Sequence, residues 1–212
     1  MLKTPNYAII TAEIMLKEKR MNRTKRRIFN TALKLFAEKG YDSTSVEEIT
    51  AISGVAKGTL YYHFSNKEEI LDLLLTEGMK LLKNSIEIKM KNCTTSVEKI
   101  KQIILVQIKV IVKYENLITL VFNQMWGKEE KNIKCRNSVS EYLKILEDVI
   151  EEGIKNGELY DGNVKALACG VFGVTYSSLT YKLNLSEQEN IEDIYKGFVN
   201  AVVRGIIKPR DN

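Results

Sequence analysis

Apolar residues recur along this chain at helical spacings, and long strict alternations are absent, so the pattern predicts an all-α protein. The first firm segment begins at Thr24. Ile28, Ala32 and Phe36 stand at i, i+4 and i+8, with Phe29, Leu33 and Leu35 widening the stripe. Gly40 follows where a helix end favours a residue tolerant of positive φ, which predicts a helix over 24–39. Ser45-Val46-Glu47-Glu48 has the Ser-x-x-Glu form of a capping box and opens a short helix through Ile49 and Ile52 to Ser53-Gly54. After Val55, residues 56–64 read as another short helix. A second such signature, Ser65-Asn66-Lys67-Glu68, opens the next, with Ile70, Leu71, Leu74 and Leu75 on its apolar side.

Two short helices joined by a tight Gly-containing turn, with a supporting helix before them, form a helix-turn-helix within residues 45–64. In that unit the second helix braces across a DNA backbone and the third presents its N-terminal part to the major groove. At 100° per residue, Leu60 and Phe64 share the packing side of the third helix, while Gly58, Thr59, Tyr62 and His63 spread away from it. Lys57 and Tyr61 flank the N-terminal end. Lys57 can reach guanine N7 and O6 or a phosphate. Thr59, Tyr62 and His63 offer donors suited to phosphate oxygens, and Gly58 permits close backbone approach. Ser45 and Lys67 each open a helix, where free backbone N–H groups favour anions. Each residue also has a plainer reading: the tyrosines as packing, Lys57 and His63 as solvated surface.

Charge sharpens this picture. Residues 1–66 hold 11 Lys/Arg against 6 Asp/Glu, whereas the remaining 146 hold 21 of each, so the whole net charge of +5 resides in the first third. A basic head on a neutral body is the electrostatic footprint expected for a polyanion. Residues 1–23, with the basic cluster Lys17, Lys19, Arg20 and Arg23, read as a lead that either adds phosphate contacts or is only a frayed approach.

Other classes find little support. Cys93, Cys135 and Cys169 are odd in number and scattered, which argues for a reducing compartment and against a disulfide framework or zinc site. No apolar run reaches the roughly 18 residues a membrane span requires, so the expectation is a cytoplasmic protein with no membrane association. His63 is the single histidine and sits on the reading helix, which leaves cysteine nucleophiles without a base. There is no phosphate-cradling G-x-x-x-x-G-K-[ST] loop. No enzyme, cofactor or metal is expected.

Residues 24–71 resemble the DNA-binding domain of the tetracycline-repressor (TetR) family of bacterial regulators. The resemblance is carried by Thr24, Ile28, Ala32, Leu35-Phe36, Gly40-Tyr41, Thr44-Ser45-Val46, Ile49, Gly54-Val55, Lys57 through Phe64, Lys67-Glu68 and Leu71. Thr50 departs from the alanine common there. By that resemblance Ser45, Lys57, Gly58, Thr59, Tyr61, Tyr62, His63 and Lys67 contact double-stranded DNA. It further implies a three-helix head over 24–70 and a helical ligand-sensing and dimerisation body over 71–212. The function implied is a repressor that binds a palindromic operator as a homodimer and is released by a small molecule. A regulator controlled by a protein partner, or an activator, uses the same parts.

In the body, helices are predicted over 96–114, 116–127, 132–156, 163–184 and 190–207. Ala166, Gly170, Gly173, Ser177 and Thr180 form a small-residue strip that lets another backbone approach, and Ile194, Phe198 and Val202 on the last helix could complete a four-helix dimer interface. Packing within one chain is the alternative. Tyr114, Phe122, Met125, Trp126, Tyr142 and Tyr176 are candidate walls of an apolar or aromatic effector pocket, with ordinary core as the other reading.

Overall fold

The computed structural model describes residues 22–125, 132–184 and 191–207, and for 178–184 and 191 only the backbone. The described residues are helical throughout apart from turns and one isolated bridge. They comprise α1 (Arg23–Lys39), α2 (Val46–Ser53), α3 (Lys57–His63), α4 (Lys67–Met90), α5 (Ser96–Lys113), α6 (Glu115–Met125), α7 (Ile133–Lys155), α8 (Val164–Asn184) and α9 (Ile191–Phe198). A π-turn over Val199–Val203 and a last turn α10 (Arg204–Ile206) follow. No described helix is long and apolar enough to cross a membrane. The described residues divide into two compact units, one from within 1–81 and 116–136, the other from within 82–115 and 137–212.

The first unit is organised by the stripe on α1. Ile28, Ala32 and Phe36 are wholly inaccessible, as are Ile49 on α2 and Leu60 on α3. Full burial of side chains of this size contributes about 1.5–3 kcal/mol each, so three short helices can hold one another. Asn22 caps α1, its side chain accepting from Thr24 N–H at 2.8 Å. Gly54 ends α2 at φ +61°, the left-handed conformation that turns the chain into α3 within three residues.

Two capping signatures are realised differently from their sequence form. Ser45 accepts from the Glu48 N–H at 3.1 Å, but the Glu48 carboxylate pairs with Lys39 on α1. The second box is shifted by one residue. Asn66 accepts from the Glu69 N–H at 2.8 Å, and Glu69 reaches back to the Ser65 N–H at 2.6 Å. A complete reciprocal box appears at Thr95 and Glu98, opening α5.

In the second unit α5 is central. Ile100, Ile103, Ile104, Val106, Ile108 and Val110 cover more than one stripe, and the helix packs against α8 and α9. Gly153 lets α7 approach closely: a Cβ there would stand 2.7 Å from Leu159 Cδ1 and 2.9 Å from Ser96 Cβ. The last predicted helix is interrupted rather than continuous. Its π-turn is followed by Tyr160 N–H donating to the Ile206 carbonyl at 2.9 Å, which ties the C-terminal end to the α7–α8 connection.

Candidate nucleic-acid interface

The third helix has the two-sided character that its sequence predicts. Leu60 and Phe64 are buried, and Lys57, Gly58, Thr59, Tyr61 and Tyr62 are exposed on the opposite side. Tyr62 is 84% exposed, far beyond what a packing tyrosine shows, and Tyr61 is 44% exposed. The Tyr62 ring meets His63 edge-on at 5.1 Å, which restrains the histidine beside the same face. Gly58 has open space where a Cβ would stand, so its lack of a side chain serves no contact within the chain. Packing on one side and hydroxyl, imidazole and ammonium groups on the other suit a helix laid into a groove.

The α2–α3 angle is held by local bonds. Thr50 Oγ1 bonds back to the Glu47 carbonyl at 2.8 Å, so the hydroxyl at this departure from the family pattern stays within its own helix. Ser45 is exposed at the α2 N-terminus. Lys57 Nζ lies 2.5 Å from Glu47 Oε1, and both side chains are largely exposed. This bond holds the Glu47 carboxyl below the usual carboxylate range and raises the Lys57 ammonium above the ordinary lysine value. Nothing in the sequence reading singled out Glu47. The signal for it was its position in the first turn of the helix preceding Lys57.

Lys67 is half-buried at the start of α4. Its ammonium donates to the carbonyl oxygens of Tyr41 and Thr44 at 2.8 and 2.7 Å and lies 4.3 Å from the centre of the Tyr41 ring. Those three contacts turn it toward the loop between α1 and α2.

Among the dimer candidates, Ala166, Gly170, Gly173 and Ser177 are exposed along α8, while the Thr180 side chain lies outside the described residues. Ile194 and Phe198 lie on the buried side of the last helix. They are only 8% and 6% exposed because α9 turns its apolar side onto α5 of its own chain. Val202 is half-buried. The face that α9 and its continuation leave open carries Gly197, Ala201 and Gly205, another small-residue stripe at four-residue spacing.

The aromatic pocket candidates scatter in environment. Tyr142 is completely buried against Phe172, ring centres 5.5 Å apart, and its hydroxyl has no partner. Burial drives that phenol well above its ordinary pKa. Tyr114 ends α5 with Lys113 over its ring, and Phe122, Met125 and Tyr176 are half-buried. Trp126 lies outside the described residues, as do residues 1–21 of the basic lead. In the second unit, Ser85 Oγ, Ser96 Oγ and Gln107 Oε1 join the Tyr142 hydroxyl as buried polar atoms without a partner.

Comparison with known proteins agrees with this architecture. Residues 28–74 match the family described as bacterial regulatory proteins, tetR family, and residues 93–180 match the tetracyclin repressor-like C-terminal domain. The chain is 28% identical over 184 residues to the fatty acid metabolism regulator protein of Bacillus subtilis, covering 84% of this chain and 93% of that one. It is likewise 28% identical to the regulator QacR of Staphylococcus aureus, covering 77% and 89%. The solved structure of FadR from Bacillus subtilis in complex with stearoyl-CoA superposes with a TM-score of 0.74 at 27% identity, covering 85% and 98%.

Proposed function

We propose that this chain, which belongs to the tetR family of bacterial transcription regulators, is a repressor released from its operator by a fatty acyl thioester of coenzyme A. The carrying observation is that similarity to fatty-acid regulators extends through the body, where effectors bind, rather than stopping at the reading head. DNA binding and response to a ligand follow from the family. The acyl-CoA class is the finer reading.

In this reading residues 24–70 form the DNA-binding head, 71–212 the sensing and pairing body, and 1–23 a basic lead. Two heads, one from each copy, enter successive major grooves of a palindromic site, roughly 34–36 Å apart for half-sites one turn apart. Tyr62, His63, Thr59, Ser45 and the Gly58 backbone hold phosphates, while Lys57 and Tyr61 reach bases. The exposed small-residue stripes of α8 and the last helix allow close backbone approach between two copies.

The body is suited to an effector with a long apolar part and few polar groups. Its core is packed with aliphatic residues of α5, and a buried polar atom without a partner costs about 1–3 kcal/mol. The Tyr142 and Ser85 hydroxyls can donate to a thioester or amide carbonyl, and Gln107 Oε1 can accept from an amide N–H. An acyl thioester on a pantetheine arm offers both. A ligand that prefers one spacing of the heads lowers operator affinity by its differential binding energy alone.

The test is fluorescence anisotropy of the full-length protein on DNA from its own upstream region, titrated with stearoyl-CoA, free stearate and free coenzyme A. Release by stearoyl-CoA with no effect of coenzyme A supports the reading. DNA binding that no acyl-CoA of any chain length alters would sink it.

A further inference from the structure

Two consecutive glutamates open α2, and the structure uses them differently. Glu48 is turned toward α1, where it pairs with Lys39, and its side chain is 24% exposed. Glu47 points the other way, toward α3. It is 65% exposed and its Oε1 lies 2.5 Å from Lys57 Nζ. A carboxylate on the face that meets a polyanion repels phosphates. Its place beside Lys57, the first residue of the reading helix, therefore calls for a partner that is not a phosphate.

The major groove supplies one. A G·C pair presents the guanine O6 acceptor next to the cytosine N4–H donor, and these two atoms, hydrogen-bonded to each other, stand about 2.9 Å apart. The Lys57–Glu47 ion pair offers a donor and an acceptor at nearly the same separation and in matching order. Lysine donates to guanine O6 or N7, and glutamate accepts from cytosine N4. An A·T pair with adenine in guanine's place reverses the match, setting N6–H against the ammonium and O4 against the carboxylate, and one with thymine there keeps the order but puts a methyl where lysine would meet guanine N7. We infer that Glu47 and Lys57 together read one G·C base pair in each half-site, with Glu47 a specificity-determining residue on the bracing helix.

The inference rests on α3 being the groove-entering helix. Supporting geometry is local and pre-set. Glu47 is held by the α2 turn capped at Ser45, and its own carbonyl accepts from Thr50 Oγ1. Tyr61, one turn along from Lys57, borders the pair.

The experiment is in vitro selection of random duplexes by the full-length wild type, Glu47→Ala, Lys57→Ala and Tyr62→Ala, followed by anisotropy on the selected site with each base pair replaced in turn. Wild type should enrich a site with one G·C pair per half whose replacement by A·T weakens binding by about tenfold or more. Glu47→Ala, which removes the acceptor, should reduce that penalty to about threefold or less at this one position, leaving the others intact. Lys57→Ala should flatten the same position, and Tyr62→Ala should weaken all sequences together. Glu47→Ala that keeps the full G·C penalty, or shifts affinity equally for every sequence, overturns the assignment alone. A wild type that enriches no sequence overturns both the assignment and the reading helix beneath it. Circular dichroism of each variant separates these outcomes from misfolding.

Discussion

Lys67 and Tyr41 are joined twice: the lysine ammonium donates to the Tyr41 carbonyl at 2.8 Å and lies 4.3 Å from the centre of the Tyr41 ring. The same ammonium donates to the Thr44 carbonyl, so the first residue of α4 closes the loop that leads into α2. Through that loop it sets where Ser45 and the reading helix stand. Replacing it with methionine removes two charge-assisted bonds and the ring contact, a loss of about 1–3 kcal/mol. Urea denaturation of Lys67→Met should show this fall, with DNA affinity declining in parallel. An unchanged midpoint together with a shallower salt dependence would mean that Lys67 serves phosphates instead.

Gly54 and Gly58 should respond oppositely to alanine. Gly54 sits at φ +61°, and an added Cβ would meet the Arg27 guanidinium at 2.7 Å. Gly54→Ala is expected to destabilise the head by about 1–2 kcal/mol. Gly58 is helical with open space around it, so Gly58→Ala should stabilise by about 0.5–1 kcal/mol. If its backbone approaches DNA closely, the more stable variant binds DNA less well. Melting curves and anisotropy on the same samples decide this.

Tyr62→Ala should leave the melting temperature nearly unchanged, because an 84% exposed side chain contributes little to packing. Its loss should nevertheless weaken operator and random DNA alike, by about tenfold for a bond to a charged phosphate. Operator affinity unaltered at fixed salt would remove Tyr62 from the interface.

Cys135 and Cys169 report on two different environments. Cys135 is buried, its Sγ donating to the Val121 carbonyl at 3.4 Å, and burial pushes its thiol up to about 11. At pH 8 it should resist alkylation until the chain unfolds. Cys169 is exposed on α8 among Ala166, Gly170 and Gly173. If that face joins two copies, Cys169 labels quickly when dilute and slowly at concentrations that favour the dimer. Fast labelling at concentrations where the protein is dimeric would place the interface elsewhere.

Gly173→Glu tests the same face by charge. Outside its chain neighbours and its own helix backbone no atom lies within 4 Å of a Cβ placed there, so the single chain should accommodate it. The expected result is a helical monomer by light scattering with greatly weakened operator binding. A stable dimer would show that α8 faces solvent.

Much of the head was legible because its signals are local. The i, i+4, i+8 stripe of Ile28, Ala32 and Phe36, the serine cap at 45 and the glycine at 54 each act within one or two turns. Such features determine element order and which side of a helix avoids water. They also placed Leu60 inward and Tyr62 outward. The body was legible only as helices, since α5 is apolar over most of its circumference and its pattern names no single neighbour.

What the sequence determined by itself was therefore a helical chain with a basic reading head and its two-sided third helix. Tertiary structure alone decided what each outward or inward group meets. It turned Lys67 onto the Tyr41 carbonyl and ring, set Glu47 against Lys57, and buried Ile194 and Phe198 in their own chain. The reason is physical: periodicity specifies a face, but the partner of a charge or an apolar stripe depends on contacts between residues distant in sequence, which no local pattern encodes.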